Sequence, residues 1–407
     1  MAKAAGGRNG ALMAVVAAAA IMSVALGTRQ TFGLFLGPLS AHHGLAVTWV
    51  AFAIALHNLS WGLAQPVAGA AADRFGAAPV VLAGALAFAA GLALTAVVPN
   101  GPALILGMGV LVGLGISCTS FGVVMTAVGK AAAPERRSQA MGLAGAGGSL
   151  GQVALVPVAQ GLVDGWGPAV ALLGLGAVIL LAAPLGGWLD RRGAETAPAP
   201  APVPLRAALR QAAKHRGYRL LTLGFFTCGF QLAFIATHLP GYLTLCQMPV
   251  GLGAVALALI GLFNMGGTWA CGWLGGRYRQ GQVLGWLYLL RGGVIAAFFL
   301  LPKTEVAVLA FAAAMGLLWL GTVPLTSGLI ARMFGVGNLG ALFGVCFLSH
   351  QVGSFLGAWA GGLAFDLSGS YGPVWAATAL AGLVAALLHF AIDDRPAATP
   401  PLVPALS

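Results

Sequence analysis

VTWVAFAIALHNLSWGLAQPVAGAAADRFGAAPVVLAGALAFAAGLALTAVV, residues 47–98, is two apolar runs joined by one charged turn. The runs 47–72 and 78–98 are each long enough to cross a bilayer core, which takes roughly 20 apolar residues in helical form. Asp73 and Arg74, in the turn, are the only formal charges in the stretch. The rest of the chain repeats this pattern. Of 407 residues, 59% are apolar and 7% are charged, against about 25% charged in a soluble protein. So few charges cannot solvate the surface of a chain this long, so most of that surface faces lipid. The 62 glycines suit helices that pack closely in a membrane.

The runs predict twelve spans: 11–39, 47–72, 78–98, 102–129, 138–163, 168–189, 218–245, 251–275, 282–301, 305–331, 339–364 and 371–392. The first is too long for a signal-peptide core and has no small-residue cleavage site, so it reads as a retained span. The five cysteines lie apart in apolar segments without CxxC spacing. That pattern fits packing residues and gives no metal site or disulfide framework.

The net charge of +11 is spread over the short gaps between spans and forms no nucleic-acid patch. Of the 20 Lys and Arg, Arg29 and Arg291 fall inside spans and Lys303 lies on one side; the other 17 lie on the side of the N-terminus. The positive-inside rule therefore predicts a bacterial inner-membrane protein with both termini cytoplasmic.

The chain divides into residues 1–189, a linker 190–217, and residues 218–407. Glu195 to Pro204 is rich in Ala and Pro, an extended spacer. Leu205 to Arg219 carries five basic residues in a helix-compatible pattern. It reads as an amphipathic helix near anionic lipid headgroups, or else as a solvated basic loop. The halves repeat with a shift of about 202 residues: Asp164 matches Asp366, Pro38 matches Pro240, Phe32 matches Phe234 and Lys130 matches Arg332. The turn Gly69-x-x-x-Asp73-Arg74-x-Gly76 is answered by the segment from Gly272 to Tyr278, with Arg277 as the second-half basic residue. Two parallel six-helix repeats around a midplane cavity form a transporter architecture.

The turn at 69–76 in this position resembles the signature loop of the major facilitator superfamily, and the six-plus-six layout with a central linker fits that family over the whole chain. The resemblance implies that Asp73 and Arg74, with Arg277 in the second half, stabilise a gate; the loop's usual last basic residues are replaced by Ala77, Ala78 and Pro79. Gly27-Thr-Arg29-Gln-Thr-Phe-Gly-Leu-Phe-Leu-Gly-Pro38 is similar to the first span of bacterial relatives of monocarboxylate transporters and oxalate/formate exchangers, with Arg29 where the former carry a functional lysine. Those carriers hold a polar residue in span eight and, four positions later, a carboxylate-binding arginine. Here the pair reads Asn264 and Thr268, so that binding mode is not kept.

An ionisable group inside a membrane is a functional hypothesis by default. All nine acidic residues fall in loops or at span ends, so no carboxylate stands at mid-depth. Arg29 is read as an anion site, against a structural arginine snorkelling outward. Arg291 and Tyr288 share a face of span nine and read as structural. His57, His238 and His350 are the proton-coupling candidates; His42, His43 and His389 lie nearer the surfaces. Asn58, Trp61, Gln231, Asn264, Thr268 and His350 join Arg29 as expected substrate contacts.

The expected function is secondary transport of a small organic anion by alternating access, with proton coupling open. The alternatives are an exporter of amphipathic or neutral compounds and a non-transporting receptor of the same fold. No catalytic constellation and no GxxxxGK[ST] loop occur, so neither an enzyme nor an ATP-driven pump is expected. No cofactor, metal or nucleic acid is implied. The expected partners are the substrate and membrane lipids, and the expected form is a monomer.

Overall fold

The computed structural model describes residues 2–131, 137–190, 205–249, 251–335 and 339–393. Span one is α1 (Ala2–Gln30) and α2 (Phe32–His43); spans two and three are α3 (Val47–Phe75) and α4 (Ala77–Val97). Span four runs from α5 (Gly101–Leu104) through a π-helical turn, Ile105–Leu111, into α6 (Val112–Thr119) and α7 (Phe121–Ala131). Spans five and six are one long helix, α8 (Arg137–Ala182). After the linker come α9 (Leu205–Lys214), α10 (Arg216–Leu245), α11 (Leu252–Arg277) and α12 (Gln280–Leu300). Span ten is α13 (Glu305–Leu317) plus α14 (Thr322–Phe334), and α15 (Leu339–Ser368) and α16 (Gly372–Phe390) finish the bundle.

Among the described residues, eleven helical stretches are long and apolar enough to cross a membrane, and the longest holds two spans. It bends at Gly167, whose φ of 82° an L side chain seldom adopts. Pro168 follows and starts the next helical stretch. The expected loop between spans five and six is therefore a single kink, and the count of crossings is twelve. The whole is two six-helix bundles, as the repeat predicts.

Three spans expected to be continuous are broken, each for a local reason. In span ten, Pro324 lacks an amide donor and its ring crowds the carbonyl four residues back, so the helix opens over 318–321. In span four, Ser117 and Thr119 hydroxyls donate to Leu114 O (2.7 Å) and Gly115 O (2.9 Å), and Ser120 is extended. In span one, the Thr31 hydroxyl donates to Thr28 O (2.7 Å) at the break after Gln30. Such back-bonding competes with the helix ladder.

The repeat is visible in the packing. A methyl on Gly151 would overlap the Ser23 carbonyl, and one on Gly353 would overlap the Phe226 carbonyl. Gly151 and Gly353 are 202 apart, as are their partner-helix glycines Gly27 and Gly229. The α1–α8 and α10–α15 pairs therefore meet through the same small residues in each half. The halves join along two seams, α3 against α15 and α8 against α11, and α2 also packs on α10.

We call the side where α1 starts and α16 ends the terminal face, and the opposite side the far face. Contacts between the halves begin at the far face, where Asp366 accepts from Thr48 N (2.8 Å) and a methyl on Gly33 would overlap Ala236 O. They continue to mid-depth, where Trp61 meets Phe347 at 5.2 Å and Asn264 donates to Ser149 (3.0 Å). Toward the terminal face, α7 packs on α1, α3, α4, α6 and α8, and α14 on α10, α11, α12 and α15. Among the described residues these contacts stay within each half. The far face is the closed side.

Candidate functional site at the mid-depth seam

Arg29 stands one residue before the break in span one, where the turn of the helix aims it across to α3. Its guanidinium donates to Asn58 Oδ1 (2.9 Å) and lies 5.5 Å from the centre of the Trp61 ring. Its Nε is buried and makes no hydrogen bond. Asn58 is itself oriented, since its amide nitrogen donates to Ile54 O (3.2 Å). Trp61 is held by donating to Gln65 Oε1 (2.8 Å), and Gln65 in turn donates to Ser117 O beside the break in span four (3.0 Å). The arginine thus meets one amide and one aromatic face, and sequence places no carboxylate at its depth.

A cavity of about 10 Å³, the size that holds about one water, borders Arg29, Phe32, His57, Asn58 and Thr237. His57 is buried, meets Phe32 edge-on at 5.3 Å, and neither ring nitrogen makes a hydrogen bond of normal geometry. From the other half, Gln351 donates to the Asn58 carbonyl (3.1 Å) while its Oε1 accepts from His350 Nδ1 (3.0 Å). The His350 ring lies 4.9 Å from Phe225 and parallel to Phe347 at 6.0 Å. Arg29, Asn58, Trp61 and His57 are therefore one cluster, and Gln351 ties His350 to it across the seam.

The remaining expected contacts stand elsewhere. Asn264 is fully buried with its amide used on both sides: it donates to Ser149 and accepts from Thr268 (3.1 Å) and Leu320 N (3.0 Å). It caps the opened stretch of span ten much as Gln65 caps that of span four. Gln231 is turned into the second half, donating to Thr378 O (3.0 Å) and accepting from Arg291 (3.4 Å). His238 bonds Ala358 O (2.6 Å) and packs between α10 and α15.

Arg291 is wholly buried. It donates to Leu318 O, to Trp319 O (2.8 Å) and to Cys228 Sγ (3.3 Å), with its guanidinium 5.2 Å from the Tyr288 ring. At the terminal face, Arg74 lies 5.1 Å from the Phe75 ring and Arg277 3.9 Å from the Trp273 ring. The Asp73 side chain lies outside the described set. The carboxylate that caps α4 is Asp190, accepting from Ala77 N (2.6 Å) and Ala78 N (2.9 Å). Sequence reasoning gave no role to Asp190 or Gln351. Asp190 carried a signal, being an acid set directly before Arg191 and Arg192 at a span end.

A guanidinium with spare donors in a low-dielectric seam can take a carboxylate by charge-assisted, two-pronged bonding. An aromatic ring at its back leaves that bonding edge free.

Residues 13–325 match the Major Facilitator Superfamily. The chain is similar to monocarboxylate transporter 11 of Mus musculus, 31% identical over 392 residues that cover 91% of this chain and 85% of that one. It is also similar to YcxA of Bacillus subtilis, an uncharacterised transporter of the major facilitator type: 26% identity, covering 84% and 85% of the two chains. Among solved structures, it superposes on a bacterial homologue of the human lysosomal transporter Spinster in an inward-facing, occupied conformation. The TM-score is 0.72 with 15% identity, covering 92% of this chain and 95% of that one. A D-xylose-proton symporter superposes with a TM-score of 0.71 and 15% identity, covering 95% and 97%.

Proposed function

The chain belongs to the major facilitator superfamily, a family of membrane transporters and not enzymes, and from that premise we propose that it carries a small organic anion bound at Arg29. One observation carries the reading: a guanidinium at the seam between the halves has a single side-chain hydrogen bond and no acid at its depth. Its position on the seam supports alternating access, because a ligand there touches both halves whichever side is open. The name of the 31% identical relative, a monocarboxylate transporter, supports a carboxylate.

Arg29, Asn58 and Trp61 are the proposed substrate contacts, with His350 behind Gln351. His57, beside Arg29 and with neither ring nitrogen in a hydrogen bond of normal geometry, is the proposed proton carrier. Asn264, Thr268 and Gln231 are engaged in helix-to-helix hydrogen bonds, and we assign them to packing: Gln231 within the second half and Asn264, which Thr268 supports, also across the seam to Ser149.

A second reading, export of amphipathic compounds, draws support from Thr268 in place of an arginine and from an aromatic seam. Phe52 meets Phe355 at 5.8 Å and Trp359 at 6.0 Å. Counterflow into ATP-free proteoliposomes separates the two. Labelled mono- and dicarboxylates should exchange and neutral amphiphiles should not; exchange of neutral amphiphiles alone would give the second reading the place of the first.

The terminal face is proposed to be cytoplasmic, from the 17 basic residues on that side. In a cysteine-free variant, an impermeant maleimide added to intact bacteria should then reach a cysteine placed at Gly165 and spare one placed at Pro200; the reverse would invert the protein. On that face α9 buries Ala208 and Ala212 and exposes Arg206, Arg210 and Lys214. That stripe supports contact with anionic lipid.

A further inference from the structure

Span two has no cap of its own. Residue Ala46 at the start of α3 offers no side-chain acceptor, and the first amides of a helix have no partner within it. The missing acceptor comes from the other half: Asp366, at the end of α15, accepts from Thr48 N at 2.8 Å. The carboxylate also meets the positive end of the helix dipole. Beside this bond the two helices touch closely, since a methyl on Gly362 would lie 2.5 Å from the Ala51 Cβ.

The repeat sets Asp164 as the counterpart of Asp366 on the second seam. Asp164, 202 residues before Asp366, accepts instead from Gln160 of its own helix (2.7 Å). Between that helix and the start of α11 lies a depression of about 390 Å³ lined by Pro157, Gln160, Pro249, Gly251 and Leu252. Among the described residues, the first seam carries a cross-half carboxylate cap at the far face and the second shows none.

We propose that Asp366 is a gating residue, which holds the far face shut by capping span two across the seam and lets go when that face opens. The bond joins the two halves, so it exists only while their far ends are together. Each opening of the far face must break it and return Thr48 N to water. This rests on the alternating-access reading, not on the identity of the substrate.

The test is hydrogen exchange by mass spectrometry on the purified, ligand-free protein in nanodiscs, comparing wild type, Asp366→Asn, Asp366→Glu and Asp164→Asn. Asp366→Asn keeps the shape and loses the charge. It should speed exchange about two- to fivefold in 47–55 and also in the α2–α10 contact, residues 32–39 and 233–243. Exchange in the terminal-face helices α7 and α14 should slow in step, because one face closes as the other opens. Asp366→Glu should restore part of the protection and Asp164→Asn should change nothing. Faster exchange confined to 47–52 would mean a local cap only and would overturn the proposal, as would an equal response to Asp164→Asn. The readout needs no substrate, so it stands apart from the fate of the organic-anion reading.

Discussion

Arg29→Gln is expected to abolish carriage of an anionic substrate while leaving the protein folded and inserted. Glutamine is shorter and neutral, and it can still bond Asn58, so the bond between α1 and α3 has a replacement. What it cannot replace is the charge. A carboxylate brought to this depth loses most of its water, and without a counter-charge it is left uncompensated. Truncating one member of such a pair costs about 2–5 kcal/mol, roughly 30- to several-thousand-fold in affinity. Arg29→Lys should keep part of the activity, because an ammonium supplies the charge but not the planar fork. Trp61 would also hold lysine less well, the guanidinium now lying 5.5 Å from its ring.

Arg291→Met should act on stability rather than on selectivity. Arg291 closes the opened stretch of span ten, donating to the carbonyls of Leu318 and Trp319 within it. Methionine fills much of the volume but donates nothing, and the Gln231 Oε1 loses a donor as well. Each buried acceptor left unmet costs about 1–3 kcal/mol, so the loss should total several kcal/mol and the Tm in detergent should fall by about 5 °C or more. Whatever protein folds should rank substrates as the wild type does. A normally stable Arg291→Met protein that had lost anion carriage would move the anion site from Arg29 to Arg291.

These two arginines show what the sequence could and could not convey. Both were visible as cations inside apolar runs, because lipid leaves hydropathy nearly unmixed and any charge stands out. The spans and the 202-residue repeat were legible for the same reason, and the glycine pairs Gly27/Gly229 and Gly151/Gly353 keep that spacing in the structure. Partner choice was not legible. Asn264 and Gln231 lie on helices that line the seam in this fold, yet a rotation of a few tens of degrees about a helix axis decides whether an amide faces a cavity or its own bundle. Gln231 faces its own bundle, onto Thr378 O, and Asn264 is spent on Leu320 N and, across the seam, on Ser149. The breaks in spans one, four and ten were hidden because apolar composition continues through them; Pro324 alone announced one.

The central claim is that Arg29 is the counter-charge of the carried anion. Its most direct test is isothermal titration of wild-type and Arg29→Gln protein with the carboxylate that gives the strongest counterflow. The account predicts saturable binding to the wild type and a loss of at least about 30-fold in the variant, with thermal stability in the absence of ligand unchanged. Equal affinity in the two proteins would contradict it.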